Sequence, residues 1–189
     1  MNTALLVLRL VPGLLFMGHG LQKLVPARYS PPLLRASGPR AAAHMFEELG
    51  LRPALPFVVL SALAEICAGF LIASGFVTPL GTALMAAVLT TAIVTVQIRN
   101  GIWNTDGGFE LPLLYLTIGF AISAIGPGAY SIDSWAGIAN WTGVHWAVSD
   151  EVRAAAAVGV GAAAGLLTIA AGRARTAIDA SRHEPTRAH

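Results

Sequence analysis

Six polar side chains interrupt runs of sequence that are otherwise apolar. Arg9, His19, Gln22 and Lys23 stand in or at the end of the first run, Glu65 in the second and Gln97 near the end of the third. Arg9, Pro12, Phe16, His19 and Lys23 recur at three- and four-residue steps, which on a helix lines them along one face with Gln22 at its flank. Glu65, in Ser61-Ala-Leu-Ala-Glu65-Ile-Cys-Ala-Gly69, falls near the middle of its run. A carboxylate there must find a cation or a donor, or else take up a proton. Arg9, as a structural ion pair, and the His19 end of the first run are the candidate partners.

The chemistry open to such a set is hydrogen bonding combined with proton exchange. His19, Gln22, Lys23 and Gln97 can hold the carbonyl oxygens of a quinone, while Glu65, His19 or Glu110 exchanges the protons that two-electron reduction requires. Each residue also has a structural reading. Lys23 can snorkel to headgroups, His19 can be a satisfied core residue, and Asp106, Gly107-Gly108, Glu110 and Pro112 can simply end one helix and begin the next. Metal and resident redox groups have no signature. The chain holds no Gly-x-Gly-x-x-Gly, no P-loop, no paired histidines at ligand spacing in an apolar run and one cysteine, Cys67. Neither haem, flavin nor iron–sulfur is indicated, and any electron must come from a partner protein.

The elements that position these groups follow from composition. Of 189 residues, 55% are hydrophobic and 12% charged, and the mean hydropathy is +0.66. A soluble domain carries roughly twice that share of charge, so a soluble enzyme and a nucleic-acid binder are excluded. Apolar runs at about residues 4–24, 55–75, 79–98, 109–126 and 152–172 are each bounded by Pro, Gly or charge and read as membrane helices. This predicts an all-α integral membrane protein in the cell membrane, with residues 1–172 a single multi-pass domain and 173–189 a basic, disordered tail. The first run reads as a retained helix and not a signal peptide, because no positive charge precedes it and Arg9 interrupts it.

Charge sets the expected orientation. Five crossings put Lys23, Arg28, Arg35, Arg40, Arg52, Arg99, Arg173, Arg175, Arg182 and Arg187 on one side, ten of the twelve basic residues. By the positive-inside rule that side is cytoplasmic and the N-terminus is extracytoplasmic. In the first loop, residues 41–49 read as a short helix resting Met45, Phe46 and Leu49 on the membrane face. Thr78-Pro79 makes a tight turn between antiparallel neighbours. After the fourth run, Gly126-Pro127-Gly128 breaks the chain, Asp133 or Ser134 caps a short helix, and Trp135, Trp141 and Trp146 suit the headgroup level. Ser149-Asp150-Glu151 starts the fifth helix, whose Ala157, Gly161 and Gly165 form a small-xxx-small ladder facing either the bundle or a second copy in a homo-oligomer.

These residues together resemble the DoxX family. The resemblance rests on Leu8-Arg9-Leu10-Val11-Pro12-Gly13-Leu14-Leu15-Phe16 with Gly18-His19-Gly20-Leu21-Gln22-Lys23-Leu24, and on Glu65 with Ala68-Gly69. Gly108-Phe109-Glu110-Leu111-Pro112 and the segment from Gly126 to Ser131-Ile132-Asp133 complete it. It implies a four-helix transmembrane core and a membrane subunit in a redox complex. Members are described as the small subunit of thiosulfate:quinone oxidoreductase, or as part of a complex with a superoxide dismutase and a sulfurtransferase. This chain departs from the pattern in its fifth apolar run, its tryptophan-bearing loop and its basic tail. A non-catalytic scaffold recruiting soluble proteins is the alternative, and a small-molecule transporter the third reading.

Overall fold

The computed structural model describes residues 2–137 and 150–182, and every regular element within them is helical. We number these α1 (Asn2–Leu24), α2 (Pro39–Glu48), α3 (Ala54–Ser74), α4 (Thr78–Ala92), α5 (Glu110–Ile125), α6 (Ile132–Trp135) and α7 (Asp150–Arg182). A π turn over Ile93–Gln97 and a 3-10 turn over Ile98–Asn100 prolong α4. Among the described residues four helical runs are long and apolar enough to cross a membrane: Asn2–Leu24, Ala54–Ser74, Thr78–Asn100 and Asp150–Ile178. The fourth expected span, α5, has 16 residues and so reaches about 24 Å at the helical rise, short of the other four.

Their surfaces explain why this is a membrane fold. Leu14, Leu15, Leu60, Leu63, Phe70, Leu113, Leu114 and Leu167 all point outward, so the helices are as apolar outside as inside, the arrangement that lipid favours and water opposes. Inside, the contacts are made by small residues. A methyl group placed on Gly13 of α1 would lie 2.7 Å from the Gly69 carbonyl oxygen and 2.8 Å from the Ala73 Cβ of α3. That closeness puts the two backbones in direct contact.

α3 packs on α4 and α4 on α5. Phe16 then meets Tyr115 with ring centroids 5.7 Å apart, closing a core of Phe16, Ala68, Ile72, Met85, Leu89 and Ile122. Thr82 Oγ1 donates to the Gly119 carbonyl at 3.0 Å and lies 2.8 Å from Ser123 Oγ, a buried polar staple between α4 and α5. α7 lies along α4 and α5. Its Gly161 and Gly165 press on Ala83, Ala86, Ala87 and Thr90 of α4, so the small-residue ladder faces the bundle.

The far end of α7 returns to the first loop. Thr176 Oγ1 donates to the Gly50 carbonyl at 3.0 Å, and Gly172 abuts Leu51. Both basic segments therefore share one end of the bundle, as five crossings require. One expectation needs correction here: residues 173–182 are not a disordered tail but continue α7 to Arg182. The run Arg173-Ala-Arg-Thr-Ala-Ile holds strong helix formers and no breaker, and Thr176 ties it down. Residues 183–189 lie outside the described residues, as do Trp141, Trp146 and Ser149. Asp150 and Glu151 do occupy the first turn of α7.

Two local expectations also change. α2 turns Ala42 and Phe46 into a cluster with Leu51, Ala54 and Val58, leaving Met45 outside; Phe46 therefore rests on α3 and not on the membrane face. The cap of α6 is Ser131, whose Oγ accepts from the Ser134 N–H at 3.1 Å, which releases Asp133 for a longer reach.

Candidate functional site

Antiparallel packing decides which polar groups meet. With Gly13 seated on Gly69 and Ala73, Gly20 falls level with Ala62, Glu65 and Ile66. A methyl group on Gly20 would stand 2.6 Å from the Ala62 carbonyl oxygen and 3.1 Å from the Glu65 Cβ. The last turn of α1 thus lies against the middle of α3, and Lys23 is the cation within reach. Lys23 Nζ donates to Glu65 Oε1 and to Ser61 Oγ, both at 2.8 Å.

Ser61 and Glu65, four residues apart, share a face of α3. The pair is nearly closed off, Lys23 being 19% and Glu65 7% exposed by side chain. Phe46 of α2 lies over it, with its ring centroid 5.9 Å from Nζ, a cation–π contact. Glu65 Oε2 is buried and has no hydrogen-bond partner. Lys23 thus turns to this carboxylate and does not reach away from the bundle.

His19 sits at the margin of the site. It is roughly 80° round the helix from Arg9, and it is exposed where Arg9, Phe16 and Gly20 are buried. Gln22 orients its ring. The Gln22 Nε2 donates to the Leu34 carbonyl at 2.8 Å, which turns Oε1 to the imidazole, and an oxygen there requires His19 Nδ1–H to donate, at 3.3 Å. The Gln22 carbonyl accepts from the Ser37 and Gly38 N–H groups at 3.1 and 3.2 Å, satisfying a helix-end acceptor and fastening the first loop. His19 also lies within electrostatic reach of the Glu65 carboxylate.

Other predicted site residues go elsewhere. Arg9 is not the partner of Glu65; it is wholly buried toward the opposite end of the bundle, where it donates to the Tyr130 carbonyl and packs on Gly75, whose φ is +68°. Asp133 closes this second cluster, accepting the Val77 N–H at 3.1 and 3.0 Å while its own N–H donates to the Gly75 carbonyl at 3.2 Å. Arg9 and Asp133 attract one another, so Arg9 has an electrostatic role, but with a residue 124 positions later. Glu110 Oε2 accepts from the Asn104 N–H at 2.9 Å, the turn-forming role. Gln97 ends the π turn of α4 with its Oε1 buried and unpartnered. Neither joins the Lys23–Glu65 cluster by a hydrogen bond among the described residues. Phe46 and Ser61 are the site residues that spacing missed. Ser61 was visible as the residue four before Glu65, whereas nothing in the sequence foretold that α2 would fold Phe46 inward.

The arrangement provides a buried, half-satisfied carboxylate that can bind or release a proton, a lysine that stabilises its charge, and an outward imidazole held by Gln22. No curated protein and no solved structure matches the chain. A family model, DoxX, matches residues 4–98, which takes in Arg9, the Gly18-His19-Gly20 segment of α1, Lys23 and Glu65 and stops before Glu110 and Asp133. With half of its length matched, and with the helical membrane bundle just described, the chain belongs to the DoxX family.

Proposed function

We propose that this chain is the membrane subunit of a redox complex and that its Lys23–Glu65 site exchanges protons with a lipid-soluble quinone. The observation that carries the reading is Glu65: one carboxylate oxygen bonded to Lys23, the other buried without a partner. An acceptor left so in an apolar bundle costs free energy unless a donor visits it. The residues fit a quinone headgroup in two further ways. His19 is exposed on the outer surface of α1, and beside it Gly18 has no atom within 4 Å of where a Cβ would stand, which leaves room for approach from lipid.

A bound quinone supplies the two-electron couple; the electrons come from a partner reductase. The chain's part is to hold and move protons. Lys23 keeps the carboxylate in place, Ser61 holds Lys23, Gln22 orients His19, and Phe46 keeps water from the pair. Orientation follows the positive-inside rule, with the basic end in the cytoplasm.

The test is mass spectrometry of an organic extract from protein purified in mild detergent, together with quinone-linked activity of the complex. The reading expects near-stoichiometric quinone, falling in Glu65→Gln and His19→Ala while the protein still inserts. Normal assembly and activity in Glu65→Gln would sink it. The scaffold reading draws on Arg28, Arg40, Arg173 and Arg175, all exposed in the two basic segments, and expects background quinone with co-purifying soluble partners.

A further inference from the structure

Between the end of α1 and the start of α2 the loop folds into a cleft of about 410 Å³, walled by residues 26–28 on one side and 37–40 on the other. Its shape is built in. Pro26 and Pro39 fix two backbone angles, and the Gln22 carbonyl holds the Ser37 and Gly38 N–H groups. Its chemistry is of one sign: Arg28 and Arg40 line it, Ser37 adds a hydroxyl, and no carboxylate does. The Arg28 guanidinium lies 4.7 Å from the Tyr29 ring centroid, which restrains it. A planar guanidinium pair of this kind suits phosphate oxygens.

A second observation says which phosphate. In the same loop Leu33 is 97% and Tyr29 68% exposed, apolar groups that a water-facing loop would not keep out. Acyl chains beside the cleft give them a solvent.

We propose that this cleft binds the phosphodiester headgroup of an anionic phospholipid, with Arg28 and Arg40 on the phosphate and Tyr29 and Leu33 among the upper acyl carbons. The experiment uses the full chain in detergent and native mass spectrometry to count retained phosphatidylglycerol against phosphatidylcholine. Phosphatidylglycerol is expected to be favoured by about tenfold, two surface arginines each contributing several-fold. Arg28→Gln with Arg40→Gln loses the preference. Arg173→Gln with Arg175→Gln, which removes equal charge elsewhere in the basic segments, retains it. Ser37→Trp fills the cleft with every charge in place and also loses it. Equal retention of the two lipids, or equal loss in both arginine pairs, overturns the proposal. Displacement of phosphatidylglycerol by millimolar inorganic phosphate overturns the lipid assignment in favour of a free anion.

Discussion

Lys23 and Glu65 are worth more together than apart. Lys23→Met strands a carboxylate in an apolar bundle and is expected to cost about 3–5 kcal/mol, whereas Lys23→Met with Glu65→Gln removes both charges and costs less than the single change. Thermal unfolding in detergent checks this, and a double variant weaker than Lys23→Met would mean that the pair stabilises outright. Residue spacing picked out His19, Lys23 and Glu65 as candidates, but not which cation meets the carboxylate. Spacing fixes the face of a helix and leaves its depth open. Depth is set by the stagger of α1 on α3, and that depends on which glycine rests on which carbonyl. Arg9, one of two candidate partners for Glu65 beside the His19 end of the run, is held away from it by that stagger.

The seam between α1 and α3 makes a prediction of its own. Gly13→Leu pushes a side chain into the Gly69 carbonyl and the Ala73 backbone, and the overpacking is expected to cost at least about 1–3 kcal/mol. It should also lower quinone retention, since it moves Lys23 relative to Glu65. Gly18→Ala, at an open position on the same helix, is the control for stability alone and should be near neutral in unfolding. Thr82→Val breaks the staple to Gly119 and Ser123 and should cost only about 0.6 kcal/mol, the usual worth of a hydrogen bond between membrane helices. Chemical-denaturant unfolding ranks the three, and Thr82→Val at or above Gly13→Leu would show that hydrogen bonding, not close packing, holds the bundle. Helix existence was legible throughout, because long apolar runs allow little else in lipid. Partners were less so. The Ala157, Gly161 and Gly165 ladder signalled a close contact without naming α4, and α2 carried apolar residues on more than one side until packing against Leu51, Ala54 and Val58 chose Phe46.

At the scale of the whole molecule, the contacts of Thr176 with Gly50 and of Gly172 with Leu51 place both basic segments at one end. In a Cys67→Ser background, Ser37→Cys and Arg173→Cys should label with a membrane-impermeant maleimide from the same side, the cytoplasmic one, and Tyr130→Cys from the other. Labelling of Ser37→Cys and Arg173→Cys from opposite sides would remove one crossing. Truncation after Gly172 deletes the anchor to Gly50 and should lower thermal stability modestly, while leaving the quinone content intact. The burial of Arg9 carries a consequence for how the chain is made. Its carbonyl acceptor, Tyr130, and its electrostatic partner, Asp133, leave the ribosome more than a hundred residues after Arg9 does. Arg9 therefore gains its carbonyl acceptor and its carboxylate only when the loop after α5 arrives. A chain ending before Tyr130 lacks both, even with the helices through α5 complete.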